Sequence, residues 1–466
     1  MFTFFSCAII IAQEFFEVAE LKRFFIILIL ALSLPAYANT QEYLNMDWWN
    51  SFGDENLTAN LLEVYQKNYD LKNTALKIKE NEQIVKMQFA NELPSMMLSG
   101  ELSRDLRAPR QQFGSMHIPN YSQYNYNIPI TAGYEIDIWG SNRLRTKSKK
   151  EQLEIIKQAE RATYISLTSD FASDYFNLIK ADKMIQIQEE LIKTQEDILK
   201  KVTEKYKTGL CSVTEVLIQE KLLTSLKEEY NSHIKTREVL INSLRVYIAS
   251  SNAQIPRNTY DKIKIPDNLP KEYSSNIITN RPDYLQEEAN LKRIGFDVRV
   301  AKREFLPTFT IFGQIGLNAY HWSSLFNSPS QFFNAGILPN WDLFSGGRKR
   351  AFLKIKKYQY EQALNDYQQT FLVGVKEVNS GLAEYKTTLK NYEEAKKRLE
   401  FENKIYTLAQ NKRQIGSASD LDVLFAKEMF LMTEKEEVSD KINTLISALG
   451  LYKVTGGVNL YGLQNL

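Results

Sequence analysis

Residues 124–138 alternate strictly. Tyr124, Tyr126, Ile128, Ile130, Ala132, Tyr134, Ile136 and Ile138 form one series, and Asn125, Asn127, Thr131, Glu135 and Asp137 mark the other. A two-residue period predicts a strand with one apolar and one wet face. The pattern changes once, at Trp139-Gly140. From Asn142 to Thr208 there is neither glycine nor proline, and Tyr164, Phe171, Leu178, Ile185, Ile192, Leu199 and Tyr206 recur every seventh residue. Met184, Leu191 and Ile198 widen that seam. The stretch predicts a helix roughly 100 Å long at about 1.5 Å per residue. Its seven-residue seam calls for neighbouring helices and a left-handed supercoil.

The flanking patterns extend this reading. A helix is expected over 57–90, stopped at Leu93-Pro94, then a strand over 95–106 and an outer loop over 104–123. Beyond Gly209 a second helix is expected over 212–253, followed by a polar connector over 254–273. The order then begins again. Asn280-Arg281-Pro282-Asp283 opens a helix that stops at Leu306-Pro307, strands are expected over 308–320 and 333–343, and a long helix over 348–415. That helix carries Leu364, Phe371, Val378, Tyr385, Tyr392, Leu399 and Tyr406, again every seventh residue and mostly 207 positions after the first set. The same offset takes Gly209 to Gly416 and Glu215 to Asp422, while Leu93-Pro94 recurs at Leu306-Pro307 after 213. The chain therefore reads as two tandem repeats. The expected division is 39–253, with a hairpin over 95–139 and helices over 142–208 and 212–253, then 274–450, with a hairpin over 308–344 and helices over 348–415 and 417–449. A tail over 451–466 remains.

Composition narrows the setting. A net charge of +2 over 466 residues gives no electrostatic case for nucleic acid. Lys22-Arg23, the apolar run 24–34 and Ala36-Tyr37-Ala38 read as a signal peptide cut after Ala38, so 1–38 is a leader, with 1–20 an over-extended start. No cleavage box surrounds Cys7, so no lipid anchor is expected there. After residue 38 no apolar run approaches the ~18 residues of a membrane helix. If the mature chain enters a membrane it does so as strands, which means an outer membrane. Four strands leave two edges unpaired in lipid, so several chains have to share one ring. Three copies give twelve strands around a water-filled lumen, continued by a helical barrel. The expected class is mixed α+β, a long coiled-coil helical barrel continuous with a transmembrane β-barrel and closed as a homotrimer. No phosphate-binding loop, nucleophile elbow or metal-spaced His/Cys cluster occurs, so neither enzyme nor cofactor nor metal is expected; His117, His233 and His321 are far apart.

The sequence resembles the TolC-like outer-membrane efflux family, in the branch serving multidrug pumps of the RND type. The residues that carry the resemblance are Trp48-Trp49 with Phe52 and Asp54, Arg281-Pro282-Asp283, Phe305-Leu306-Pro307, the exit Tyr134 to Gly140, and the glycine turns at Gly209 and Gly416. The resemblance implies an outer-membrane exit duct of a tripartite pump, in contact with outer-membrane lipid, docked to a periplasmic adaptor and through it to an inner-membrane pump. Drugs or other small toxic compounds would pass through it; the alternative is the exit duct of a type I protein-secretion system. It also implies adaptor docking at Gly209, Leu210, Gly416 and Ser417, which otherwise read as ordinary helix ends with left-handed glycines. The Tyr and Arg that latch the tip in some members are replaced here by Arg413 and Ala418. Glu215, Arg413, Asp420 and Asp422 are the remaining gate candidates. Glu101, Glu135, Asp137 and Asp342 fall on the polar phase of their hairpins and either line the lumen or are plain solvated charge.

Overall fold

The computed structural model describes residues 45–107, 112–113, 116–117, 121–266, 269 and 276–457. The leader and signal peptide over 1–38 lie outside the described residues, as do parts of the outer loop, the connector and the tail. The elements are α1 (Met46–Asn50), α2 (Glu55–Lys67), α3 (Tyr69–Ala90), β1 (Ser95–Leu98), β2 (Glu101–Arg107), β3 (Gln112–Phe113), β4 (Met116–His117), β5 (Tyr121–Glu135), α4 (Ser141–Lys207) and α5 (Val213–Tyr247). After the connector come α6 (Asn276–Thr279), α7 (Pro282–Arg303), β6 (Thr308–Ala319), β7 (Gln331–Asn340), α8 (Arg348–Gln414) and α9 (Asp420–Val454). The long helices α4 and α8 have 67 residues each. The shorter pairs also match, α3 with α7 at 22 residues and α5 with α9 at 35.

Where the sequence predicted one helix over 57–90 there are two. Asn68 breaks it, with an extended ψ of 134°. Its side-chain oxygen accepts from the amides of Asp70 and Leu71, capping α3, while its Nδ2 donates to the Tyr247 carbonyl at 3.0 Å. The start of α3 thus abuts the end of α5. Arg281 makes the corresponding joint between α7 and α9: Nη1 reaches the Val454 carbonyl at 2.7 Å, and Nη2 pairs with Asp283 and Glu377 at 2.6 Å. Short helices joined end to end in this way make two columns, α3 on α5 and α7 on α9. Columns and long helices alternate in a row, α3/α5, α4, α7/α9, α8. Lying between two columns, α4 buries 24 residues, whereas α8, at the end of the row, buries five, one of them a glycine. The buried seam of α4 follows Tyr164, Phe171 and Leu178, then continues through Met184, Leu191 and Ile198, leaving Tyr206 exposed.

The Trp48-Trp49 segment is core. Trp48 stacks on Tyr452 at 5.2 Å, and Phe52 meets Phe176 at 5.3 Å. Beside them buried Asp54 caps α2 and accepts from Tyr175 at 2.7 Å and from Asn258 of the connector at 2.8 Å.

Five strands form one antiparallel sheet in which β1 and β2 together occupy one edge, followed by β5, β6 and β7, while β3 and β4 pair as a separate two-stranded ribbon. The register across the Ser99-Gly100 break does not slip: Leu98 faces Ile130 and Glu101 faces Asn127. One row across all strands runs Leu98, Ile130, Ile315, Phe333, and these side chains are 68%, 41%, 47% and 75% exposed. The row on the opposite face holds Met97, Thr131, Gln314 and Asn334. One face of this sheet is therefore apolar and uncovered. Among the described residues no strand pairs with the free side of β1/β2 or of β7, and no helix is long and apolar enough to cross a membrane.

Two backbone positions carry stability predictions. At Gly316 an added Cβ would lie 2.5 Å from the Ile128 carbonyl oxygen and 2.7 Å from Pro129 Cα, whereas at Gly313 nothing lies within 4 Å. Gly316→Ala is expected to destabilise the β5–β6 pairing by about 1–3 kcal/mol, seen as a lower thermal midpoint in detergent; equal midpoints for Gly316→Ala and Gly313→Ala would contradict this. The end of α5 has Ala249 at φ 56°, where α9 has Gly456 at φ 77°. A left-handed alanine costs about 1 kcal/mol relative to glycine, so Ala249→Gly should raise the midpoint.

Candidate functional site

Each long helix ends in the same turn. At the first, the Gly209 amide donates to the Tyr206 carbonyl and the Leu210 amide to the Lys205 carbonyl, both at 2.9 Å. At the second, Gly416 donates to Arg413 at 3.1 Å and Ser417 to Lys412 at 2.8 Å. Such paired bonds close a helix end through a left-handed residue, and Gly209 and Gly416 supply it at φ 73° and 77°. The following helices open with reciprocal caps. Ser212 and Glu215 exchange hydrogen bonds at the start of α5, and Ser419 and Asp422 do so at the start of α9. The Asp422 carboxyl is held below the usual range, first by the Ser419 backbone amide and then by its hydroxyl. Between cap and turn, Leu210 and Ile415 project into solvent, 76% and 80% exposed.

The gate candidates separate into two kinds. Glu215 and Asp422 are committed to capping. Arg413 and Asp420 are brought together, the guanidinium Nε on Asp420 Oδ1, and Asp420 Oδ2 also lies 3.4 Å from Lys201 Nζ on α4. Asp420 is held below the ordinary carboxylate range by Arg413 first and Lys201 second. Lys201 is the residue that sequence reasoning missed, since nothing local ties it to an aspartate 219 positions later. A cleft of about 310 Å³ lies over this trio, lined also by Asp197, Lys200 and Val423. Beneath it Ile198, Val202, Val216 and Leu421 form an apolar cluster against which Cys211 packs. The Cys211 thiol is free and burial pushes its pKa up, so it is a neutral packing group.

The four acids of the polar phase also divide. Glu101 on β2 faces Asn127, and Glu135 at the end of β5 faces Thr310; both are exposed on the polar face, well separated along the strands. Asp137 and Asp342 lie beyond the strand ends. Asp137 accepts from the Asn142 and Arg143 amides at 3.1 and 3.0 Å, capping α4. Burial alone would raise its pKa, but the amides of Arg143, Asn142 and Ser141 outweigh it and hold the carboxyl low. Asp342 pairs with Lys349 at 3.5 Å and Arg348 at 3.6 Å. Among the described residues no group of His, Cys, Asp or Glu could hold a metal ion.

The strand–helix junctions carry an aromatic rim. Trp139 Nε1 donates to the Pro307 carbonyl at 2.7 Å, and Trp341 Nε1 to the Phe305 carbonyl at 3.1 Å. Arg303 Nη1 reaches the carbonyl of Gly140 at 2.7 Å. Phe305-Leu306-Pro307 and Trp139-Gly140 thus bind to each other across the two halves.

Comparison with known proteins agrees with this architecture. Residues 61–233 and 273–457 match the family model described as outer membrane efflux protein. The chain is similar to the toluene efflux pump outer membrane protein TtgC of Pseudomonas putida, 25% identical over 434 residues, covering 91% of this chain and 88% of that one. It is also similar to the cation efflux system protein CusC of Escherichia coli, 24% identical over 424 residues and 89% of each. Among solved structures it superposes on the CmeC outer membrane channel of Campylobacter jejuni with a TM-score of 0.80 and 23% identity, over 91% of this chain and 90% of that one.

The Asp137 cap generates a prediction. Asp137→Ala should cost about 1 kcal/mol and speed amide exchange at Asn142 and Arg143. Because the folded carboxyl is held below its ordinary value, the contribution is complete above the ordinary aspartate value and is lost as pH falls through the folded one. Unchanged exchange at neutral pH in the variant would remove the capping role.

Proposed function

The chain belongs to the outer membrane efflux protein family, and on that premise we propose that three copies form one passive exit duct of a tripartite pump. The observation that carries this is the sheet: apolar and uncovered on one face, richer in Asn, Thr and Gln on the other, unpaired at both edges among the described residues, and feeding two helices of 67 residues. In water such a face would aggregate; in a bilayer it faces hydrocarbon, and edge pairing between three copies satisfies the backbone. Twelve strands then enclose a wet lumen lined by the Asn, Thr and Gln of the polar face, with Glu101 and Glu135 among them. The tandem repeats extend the ring into the periplasm as a helical barrel. The exposed apolar face of α8 packs against the next copy.

Energy for transport comes from partners, an inner-membrane pump of the RND type linked by a periplasmic adaptor. The adaptor docks at the two turns, on Gly209 and Leu210 and on Gly416 and Ser417. Their caps make the turns rigid knobs, and Leu210 and Ile415 offer apolar anchors. Asp420, shared by Arg413 and Lys201, holds the tip of the second helix pair to the first. Its release widens the tip. The cargo is small toxic compounds, drugs included, in keeping with relatives named for toluene and for cations.

Membrane fractionation followed by a heat-modifiable oligomer test examines the duct. A detergent-extracted trimer that conducts ions in planar bilayers is expected, and a chain that stays soluble without detergent would overturn it. Gly209→Asp and Gly416→Asp should abolish export-dependent resistance while trimers remain in the membrane; normal resistance in both removes the docking assignment. Asp420→Asn should raise single-pore conductance, and a pore of wild-type conductance would take Asp420 out of the gate.

A further inference from the structure

One side chain breaks the apolar face of the sheet. On β1 and β2 that face reads Met96, Leu98, Leu102, Arg104, Leu106, and Arg104 is the only charged residue on it among the described strand positions. Its Cα partner across the ladder is Tyr124. The guanidinium lies over the Tyr124 ring, 5.3 Å from its centroid, and Nε donates to Ser122 Oγ at 2.9 Å. Among the described residues no carboxylate pairs with it, and its side chain is exposed. A lipid-facing arginine is costly at mid-bilayer and nearly free of penalty near the interface. Its depth therefore decides what it does.

The register supplies the depth. The last apolar level on the helix side is Ile136, Phe309, Pro339, and Tyr124 lies twelve residues from Ile136 along the same stretch. Twelve residues span about 40 Å of strand, or about 30 Å of depth at the usual barrel tilt, which slightly exceeds the ~25 Å height of an outer-membrane apolar band. Arg104 therefore stands at the headgroup level farthest from the helices. Aromatic side chains mark the same level: Tyr126 contacts Trp322 edge to face at 5.6 Å, and Trp322 contacts Phe326 at 5.9 Å. Trp322 and Phe326 are exposed, as expected of an interfacial rim.

We propose that Arg104, held by Tyr124 and Ser122 on the lipid-facing side of the sheet, binds a phosphate of an outer-leaflet phosphorylated glycolipid. This rests on the duct reading above, which fixes the leaflet. Stacking on Tyr124 and the Ser122 bond set the plane of the guanidinium and leave Nη1 and Nη2 for a forked, charge-assisted contact with phosphate oxygens. Such a contact fixes the outer end of β2, at one edge of the sheet, to the lipid around it.

The test uses full-length protein in nanodiscs of phosphatidylcholine doped with bisphosphorylated lipid A, with retained lipid counted by native mass spectrometry. Wild type is expected to retain lipid A and not its dephosphorylated form. Arg104→Gln should lose about tenfold of that retention, and Arg104→Lys should restore part of it. Equal retention by wild type and Arg104→Gln, or equal retention of the dephosphorylated lipid, would overturn the proposal while leaving the duct intact. Displacement by millimolar inorganic phosphate would also overturn it, in favour of a site for the free anion. Failure of the wild-type chain to enter the nanodisc would overturn the duct reading and this site together.

Discussion

A sheet in contact with hydrocarbon has to pair its backbone N–H and C=O groups internally, because lipid offers no substitute for water. In the single chain the ladder runs from β1/β2 through β5 and β6 to β7 and stops there. Among the described residues its apolar face is interrupted by charge only at Arg104, but its hydrogen bonding stops at two open edges. The same incompleteness recurs among the helices, where α4 is enclosed and α8 is largely bare. Both defects fall at the two ends of one row of elements. A rotational arrangement of copies removes both at once, since the last element of one chain meets the first of the next.

The columns show how two repeats solve one problem with different chemistry. Asn68 and Arg281 stand at the same place, each joining the start of one helix to the end of another. Asn68 does so with a neutral amide that also caps its own helix. Arg281 is a buried cation, and it is tolerated because Asp283 and Glu377 flank it. Removing one partner of such a buried pair generally costs more than the pair contributes. The second joint is thus the more demanding of the two, which explains why its residues stand out as Arg-Pro-Asp while the first is inconspicuous.

Strand alternation, the long heptads and the glycine turns were legible because each rests on local periodicity or on one residue with special backbone freedom. The break at Asn68 was not, because asparagine is an acceptable, if weak, helix residue and only its contact with Tyr247 makes the break worthwhile. The end of α5 was expected near Ala253, yet it comes at Tyr247, since the left-handed residue there is alanine, which carries no sequence signal. Asp137 reads in sequence as the polar phase of a strand, yet it lies beyond the strand end, and its duty depends on the amides that the next helix presents. Lys201 escaped for a simpler reason: a long-range ion pair is a property of the fold, and no spacing announces it. Trp48, Trp49 and Phe52 were singled out by resemblance, and packing accounts for them as the seal between α1, α4 and α9.

The sparse burial of α8 bears on how the protein comes to exist at all. Only four side chains and the Gly374 backbone of this 67-residue helix are buried, although it runs beside α7 and α9 of its own chain. On the duct reading, the rest of its apolar face is covered only where copies meet, so that part of its burial is set by mass action among protomers. Newly made chains would then pass through a dilute stage in which the outer face of this helix stays bare, and capture by a sister chain, rather than internal collapse, would cover it.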